Sequence, residues 1–492
     1  MNVLRLAAVA SILALAAVAQ AGLDDVKVVT DTSIDCSSME TIARDIWKDC
    51  KTDQDKAVAT WYFVRRMMYH WPHIPTWDTL DLINSYGFGL CGYQSTAYCQ
   101  IATAGGMKAR TMHPTSHVIA EAFYDDAWHM FDCQVGWYAL NRQGKVASVE
   151  ELKADDTLVS KAVEENRASK PYFQCRDNPG SGTNYAKTAK VGRTPELPKR
   201  KLTINLRRGE SITRNWSDEG KPWFQQQDNK GFTNPRHTCS GNGIDDNDPV
   251  NWTFWQPYVQ GAVKRHYGNG RLVYEPDLAN EALIGLAEGE GAAAKQKDGK
   301  GPNIHPAAAG KPASVIFTID CPYIGTDAWI EGAAIRKNAG DVLAIHARRE
   351  NAAWQEVWKA DQTGQVKLDN ISLKKFAWEN HRYQVKFELS AEKDIADVGL
   401  ENVKFVTVFM NNLYALPYFK PGKNTIKLTA ADGADPAKNK LTLEYAWQEQ
   451  SQDKTLSKTI DKLPFEAVVE VGGTEMPKMK SIRLSVSAAA KP

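Results

Sequence analysis

The chain is 492 residues long, with 60 lysines and arginines against 59 aspartates and glutamates. So even a balance argues against nucleic acid or an anionic membrane surface as the main partner. The length is too great for one compact core, and two or three domains are expected.

The first 21 residues read as a secretory leader. Arg5 is their only charge, an apolar run extends from Leu6 to Ala19, and Ala19-Gln20-Ala21 forms a small-x-small cleavage pattern before Gly22. Without that leader 59 basic and 59 acidic residues remain, and no later stretch is long and apolar enough for a membrane span. The expectation is therefore an exported chain, periplasmic or secreted. Thr52 and Asp55 form a capping-box-like pair ahead of a helix whose face carries Ala57, Trp61, Val64 and Met68. Trp71-Pro72 ends it.

A second helix fits Gly92 to Ala104, with Gly105-Gly106 as its stop. Cys91 then sits at a helix amino end, where unpaired N–H groups favour a thiolate. Two strand-like runs follow, 116–124 and 127–135, split by Asp125-Asp126 into a β-hairpin. A two-residue turn there makes paired positions sum to 251, counting along the sequence. His117 then faces Gln134, with Asp132 as its diagonal neighbour on the same face, within reach of a long polar side chain.

Residues 148–195 are more polar, with a short helix expected near Val149 to Lys153 and a turn at 178–184. After Pro195 and Pro198 the texture turns to β, with runs at 201–206, 212–216 and 271–274. Residues 287–312, rich in Ala, Gly, Lys and Pro, read as a flexible linker or loop. From Ala313 onward short strands recur at 314–319, 342–347, 383–389, 403–409, 424–428, 440–446 and 481–487, the spacing of a β-sandwich. The expected division is a leader (1–21), a catalytic domain (22–195), a β-rich middle region (196–286), the linker (287–312) and a sandwich-like region (313–492).

Export allows disulfides among the eight cysteines. Cys36 with Cys50 is the favoured local bridge, and Cys175 with Cys239 is a candidate tie between the first two domains. Cys99, Cys133 and Cys321 stay unassigned.

Cys91, His117 and Asp132 are a thiol, an imidazole and a carboxylate in the order and spacing of a cysteine-nucleophile site. Each has a plainer reading alone: a half-cystine, a strand histidine, a surface carboxylate. None of these accounts for the joint spacing. Oxyanion stabilisation is expected from the Cys91 N–H together with Gln94, Tyr86 or Trp77. His113, His117 and His129 are close in sequence, but His129 has the wrong strand parity to share the face of Asp132, so no metal and no cofactor are expected. Asp245-Asp246-Asn247-Asp248 reads as a solvated acidic turn rather than a calcium loop. The tryptophans of the β-rich part, such as Trp216, Trp329, Trp354, Trp358 and Trp378, read as core rather than as platforms for sugar rings.

Four features together resemble the transglutaminase-like superfamily of papain-type folds across residues 52–133. They are Val64-Arg65-Arg66-Met67-Met68-Tyr69, Gly89-Leu90-Cys91-Gly92, Gly105-Gly106-Met107-Lys108-Ala109-Arg110, and the spacing of His117, Trp128 and Asp132. Ile119 stands where the family often has an aromatic, and Cys133 where it usually has a proline or small polar residue. The resemblance implies an α+β chain: a papain-like transglutaminase core followed by an all-β, sandwich-type accessory region. It also implies that Cys91, His117 and Asp132 are the triad. Residues 207–210 and 268–278 look like those of exported bacterial transglutaminase-like proteins of unknown substrate. The expected activity is acyl transfer through a thioester on a protein or peptide, or on a cell-envelope polymer, with hydrolysis favoured over crosslinking. The alternative is a non-catalytic envelope scaffold that binds glycan or protein.

Overall fold

The computed structural model describes residues 22–68, 76–114, 117–134, 136–155, 157–161, 165, 187–216, 221–224, 266–279, 288–294 and 301–487. The leader, Cys175, Cys239, Trp252, Trp255 and the acidic run 245–248 lie outside the described residues. The fold is mixed and β-rich, built from several sheets.

Among the described residues the longer helices lie toward the amino terminus. Helix α1 (Met39–Trp47) opens with a capping box between Ser38 and Thr41, and α2 (Asp53–Met67) with one between Thr52 and Asp55. In each, two first-turn N–H groups find side-chain acceptors that the helix itself cannot supply. Helix α3 (Cys91–Ala104) is buried without a break from Tyr93 to Ala102. It packs on a four-stranded antiparallel sheet ordered β4 (Ala127–Phe131), β3 (Ile119–Tyr124), β2 (Lys108–His113) and β5 (Lys190–Val191).

The β3–β4 hairpin turns at Asp125 and Asp126, both at positive φ (49° and 58°), a conformation that short polar side chains tolerate. Its pairs run from Ala120 with Phe131 to Tyr124 with Ala127, the register in which positions sum to 251. The ladder is shorter than the sequence runs imply, starting at Ile119 and ending at Phe131.

The larger sheet is ordered β10 (Ala292–Ala294), β11 (Ile304–Pro306), β18 (Val398–Met410), β9 (Gly270–Tyr274), β6 (Glu210–Asn215), β23 (Lys478–Val486), β20 (Leu441–Glu449) and β21 (Gln452–Ile460). Strand β13 (Ile324–Arg336) pairs along β18 and carries β16 (Gly364–Ser372). A second sheet, β12 (Ala313–Asp320), β17 (Arg382–Ser390), β14 (Val342–Arg349) and β15 (Gln355–Lys359), faces it. Between the two, the Phe405 ring lies 5.2 Å from Phe317, 6.0 Å from Tyr274 and 6.3 Å from Phe387. Phe405→Ala is expected to remove about 3–5 kcal/mol of stability. The measurement is the urea midpoint, which should fall with little change in slope. Strands β7 (Lys221–Phe224) and β8 (His266–Gly268) form a separate two-stranded ladder.

Pairing ignores the linear division of the chain. Strand β1 (Lys27–Thr30) pairs with β19 (Gly422–Thr429), which lies beside β22 (Phe465–Val471). Strands β6 and β9, from 196–286, lie in one sheet with β18, β20 and β23.

Three expectations are corrected. Residues 201–206 form no strand: they run extended along the amino-terminal segment, with Leu202 donating to Ser37 and Leu206 bridging Leu23. The described part of 287–312 is not a free linker. It forms the β10–β11 pair, and Ile304 and His305 are buried, with Ile304 paired to Leu400 of β18 where Gly399 leaves room for its carbonyl. Cys36 and Cys50 are free thiols, as are Cys91, Cys99, Cys133 and Cys321. Helix α1 stands between Cys36 and Cys50, and its nine residues at about 1.5 Å each hold them well beyond disulfide reach.

No helix among the described residues is long and apolar enough to cross a membrane.

Candidate active site

Cys91 is the first residue of α3, where backbone N–H groups have no intrahelical acceptor. The approach to it is tightly specified. A π-helical turn, Leu82–Tyr86, ends at Gly87, whose φ of 67° is left-handed and whose N–H donates back to Leu82. Two residues later the Gln94 side-chain amide donates to the Gly89 carbonyl at 3.0 Å. One turn into α3, Ser95 Oγ donates to the Val118 carbonyl at 2.9 Å, which fixes the helix to the residue after His117.

The hairpin register carries past the ends of its ladder. His117 and Asp132 stand just outside β3 and β4, and His117 Nε2 lies 2.7 Å from Asp132 Oδ2. With Nε2 committed to the carboxylate, Nδ1 is the nitrogen left toward the Cys91 thiol, whose interaction with the ring favours its protonated form. The structure thus brings the three residues together. Cys91 is partly accessible, the imidazole is 13% exposed and the Asp132 carboxylate is fully enclosed. Burial by itself would lower the His117 pKa. The Asp132 charge and hydrogen bond, aided by the thiol, overcome it and raise the imidazole to about 10, so the ring is an imidazolium at neutral pH.

Asp132 is fixed by its own backbone and by α2. Its N–H donates to Trp137 O at 2.8 Å, and its carbonyl accepts from Gly136 and Trp137. The indole N–H of Trp61 adds a third donor to that carbonyl at 3.0 Å. One helical turn on, Arg65 donates to the Gly136 carbonyl at 2.9 Å while its guanidinium lies over the Trp61 ring at 4.4 Å. Only glycine fits at 136: φ is 78°, and a Cβ there would stand 2.2 Å from the Arg65 guanidinium carbon. Trp61 reads from sequence as a core-face residue, and its polar role was missed. The one available signal was an arginine a single helical turn after a tryptophan.

The other candidates lie as follows. Gln94 is buried and spends a donor on Gly89, so it braces the loop. Tyr86 is buried against Phe88. Trp77 is 63% exposed, stacks on Tyr93 with ring centres 4.0 Å apart, and reaches the space over Gly92. His129 is buried away from the site, bonded to the carbonyls of Tyr124 and Val146. Burial raises the thiols of Cys36, Cys99, Cys133 and Cys321 far above their ordinary range. Among the described residues no three His, Cys, Asp or Glu side chains gather into a metal-holding group. In the β-rich part Trp216 is buried, and Trp329, Trp354, Trp358 and Trp378 are half-buried.

A cleft of about 830 Å³ opens elsewhere, lined by residues that include Arg200, Arg207, Glu210, Tyr274 and His381. Its size does not make it the reactive centre. Arg207 is engaged by Glu210, Arg200 by Asp78 and Asp81, and although Cys321 and His381 both line it, the imidazole bonds the Cys321 carbonyl and the Asp81 carboxylate.

No family model matches the chain, and no curated protein matches it. Among solved structures, TmCBM61 in complex with β-1,4-galactotriose is similar at a TM-score of 0.13 and 10% identity, over 30% of this chain and 72% of that one. The FMN-binding β-glucuronidase from Facaelibacterium prausnitzii L2-6 gives 0.14 and 10%, over 42% and 37%. The pilus backbone RrgB of Streptococcus pneumoniae gives 0.09 and 9%, over 36% and 43%. The chain therefore spans less than half of the second and third of these. Likeness at such scores carries no argument about this protein.

Proposed function

We propose that the protein is an exported cysteine-nucleophile acyl-transfer enzyme with a transglutaminase-like, papain-type catalytic core and a sandwich-type accessory region. In this reading it hydrolyses peptide or carboxamide bonds of a protein, peptide or cell-envelope polymer. The observation that carries the proposal is the His117–Asp132 hydrogen bond of 2.7 Å, made by an imidazole that interacts with Cys91 at a helix amino end.

The chemistry follows from those contacts. The Cys91 sulfur, its proton already passed to His117, attacks the substrate carbonyl carbon, and the negative oxygen forms beside the first-turn N–H groups of α3. The His117 imidazolium gives its proton to the departing amine as the carbon–nitrogen bond breaks, leaving a thioester. His117, now neutral, takes a proton from water, hydroxide attacks the thioester, and the sulfur leaves with the carboxylic acid released. Asp132 holds the ring in one orientation through both steps. Hydrolysis is favoured over crosslinking, as in the mostly peptidase-like exported proteins that residues 52–133 resemble.

The test is alkylation of the full chain by iodoacetamide, followed by peptide mapping. Cys91 is expected to react at least about tenfold faster than the other described thiols. That advantage should vanish in His117→Ala. Cys91 labelling at the rate of a plain thiol, with or without His117, overturns the proposal. The substrate class is then read from peptides and wall fragments incubated with wild type and Cys91→Ala.

A further inference from the structure

The residues that lead into Cys91 are held from the far side of the sequence. Asn412, just beyond β18 and buried, places its side-chain amide on the carbonyls of Ile83 at 2.7 Å and Met67 at 3.0 Å. Its backbone N–H donates to the Asn84 carbonyl at 2.7 Å. The side-chain oxygen is not idle either, since it accepts from the Tyr414 N–H at 3.2 Å. One asparagine thus ties the end of α2 to two successive carbonyls of the π-helical turn.

A second grip lies on the same turn, where the backbone N–H of Ile324, at the start of β13, donates to Ser85 Oγ at 3.3 Å. A third lies just before it. Asp81 is buried and receives Arg200 and, at 3.0 Å, His381 Nε2, while His381 Nδ1 faces the Cys321 carbonyl at 3.0 Å. Both of those oxygens can only accept, so both ring nitrogens carry hydrogen and His381 meets Asp81 as a cation.

π-Helical turns are rare and, where they occur, are frequent at functional sites. Here residue 412 bonds two carbonyls of the turn, while residues 324 and 381 hold the Ser85 hydroxyl and the Asp81 carboxylate just before it. From Tyr86 to Cys91 the path has little slack: Gly87 is in the left-handed region and Gly89 is braced by Gln94.

We propose that Asn412 is a positioning residue of the Cys91 site, the clamp through which the β-rich half of the chain sets the nucleophile against His117. This rests on the reading of Cys91 as a nucleophile. It makes the accessory region a structural part of the active site rather than an appended module.

The test uses the full-length chain and iodoacetamide, with Cys91 alkylation followed from pH 5 to pH 10 in wild type, Asn412→Ala, Ser85→Ala and His117→Ala. Thermal unfolding of each variant is measured alongside. Misplacing a reacting group by about 1 Å can cost about a hundredfold. Folded Asn412→Ala is expected to alkylate at least about tenfold more slowly, with its pH midpoint moved toward that of His117→Ala. Ser85→Ala, which loses one grip, should move the same way by a smaller factor and decides the matter if Asn412→Ala does not fold. A folded variant with the wild-type rate and pH midpoint overturns the proposal, even if its melting temperature has dropped. A wild type whose reactivity is indifferent to His117 instead defeats the nucleophile reading and takes the positioning role with it. The His117→Ala comparison therefore separates the two failures.

Discussion

Replacing His117 by alanine is expected to slow Cys91-dependent acyl transfer by about 10²- to 10⁴-fold, the range that a positioned acid–base group supplies. The same change should destabilise the protein. Asp132 is fully enclosed, and the variant removes the imidazolium bonded to it at 2.7 Å. Breaking a buried pair in this way costs about 3–5 kcal/mol. Urea unfolding of wild type and variant at pH 7 checks this: the variant's midpoint should fall, and an unchanged midpoint would mean that the pair adds nothing to stability. Cys91→Ala is the control that removes catalysis while leaving the pair intact.

Asp132→Asn should cost about as much activity by a different route. An amide keeps the size of the carboxylate but cannot hold the imidazolium, and loss of the orienting carboxylate in a catalytic triad costs about 10⁴-fold. The sign of the pH effect follows from the raised His117 value. A cationic group held at about 10 in the folded protein, against about 6.5 unfolded, contributes stability that is complete below the unfolded value. That contribution fades as pH rises through the window and is gone above about 10. Wild type should therefore lose stability between pH 6.5 and 10 relative to Asp132→Asn, whose imidazole lacks the carboxylate. Parallel stability curves for the two proteins across that range would show that the ion pair is not what holds His117 protonated.

The Asn412 clamp alters how these variants are to be read. The turn before Cys91 is bonded to residues 324 and 412, so weakening the β-rich half should reach the nucleophile without touching the triad. Phe405→Ala is informative here too, because β18 carries both Phe405 and the lead into Asn412.

Local signals were the ones that could be read from sequence. The capping box of α2, the glycine stop of α3 and the Asp125-Asp126 turn are contained within a few residues each, and all appear in the structure. So does the parity that puts His117 and Asp132 on one face. Strand β13 was invisible for the opposite reason. Gly325, Gly332 and three alanines erase its alternation, and its ladder is interrupted by register shifts. Sequence proximity misled for Cys36 and Cys50, because the helix between them converts nearness along the chain into distance in space.

By itself, then, the sequence determined which three side chains stand together at the candidate site and the local geometry that aligns two of them, since hairpin register depends only on a short stretch of chain. Tertiary structure alone decided what surrounds them. Trp61 and Arg65 on the Asp132 turn, and Asn412 on the turn before Cys91, act across gaps of 71 to 345 residues. Such partners satisfy buried carbonyls that local structure leaves open. A carbonyl accepts from any donor that packing brings to it, and so leaves no trace in the spacing of residues along the chain.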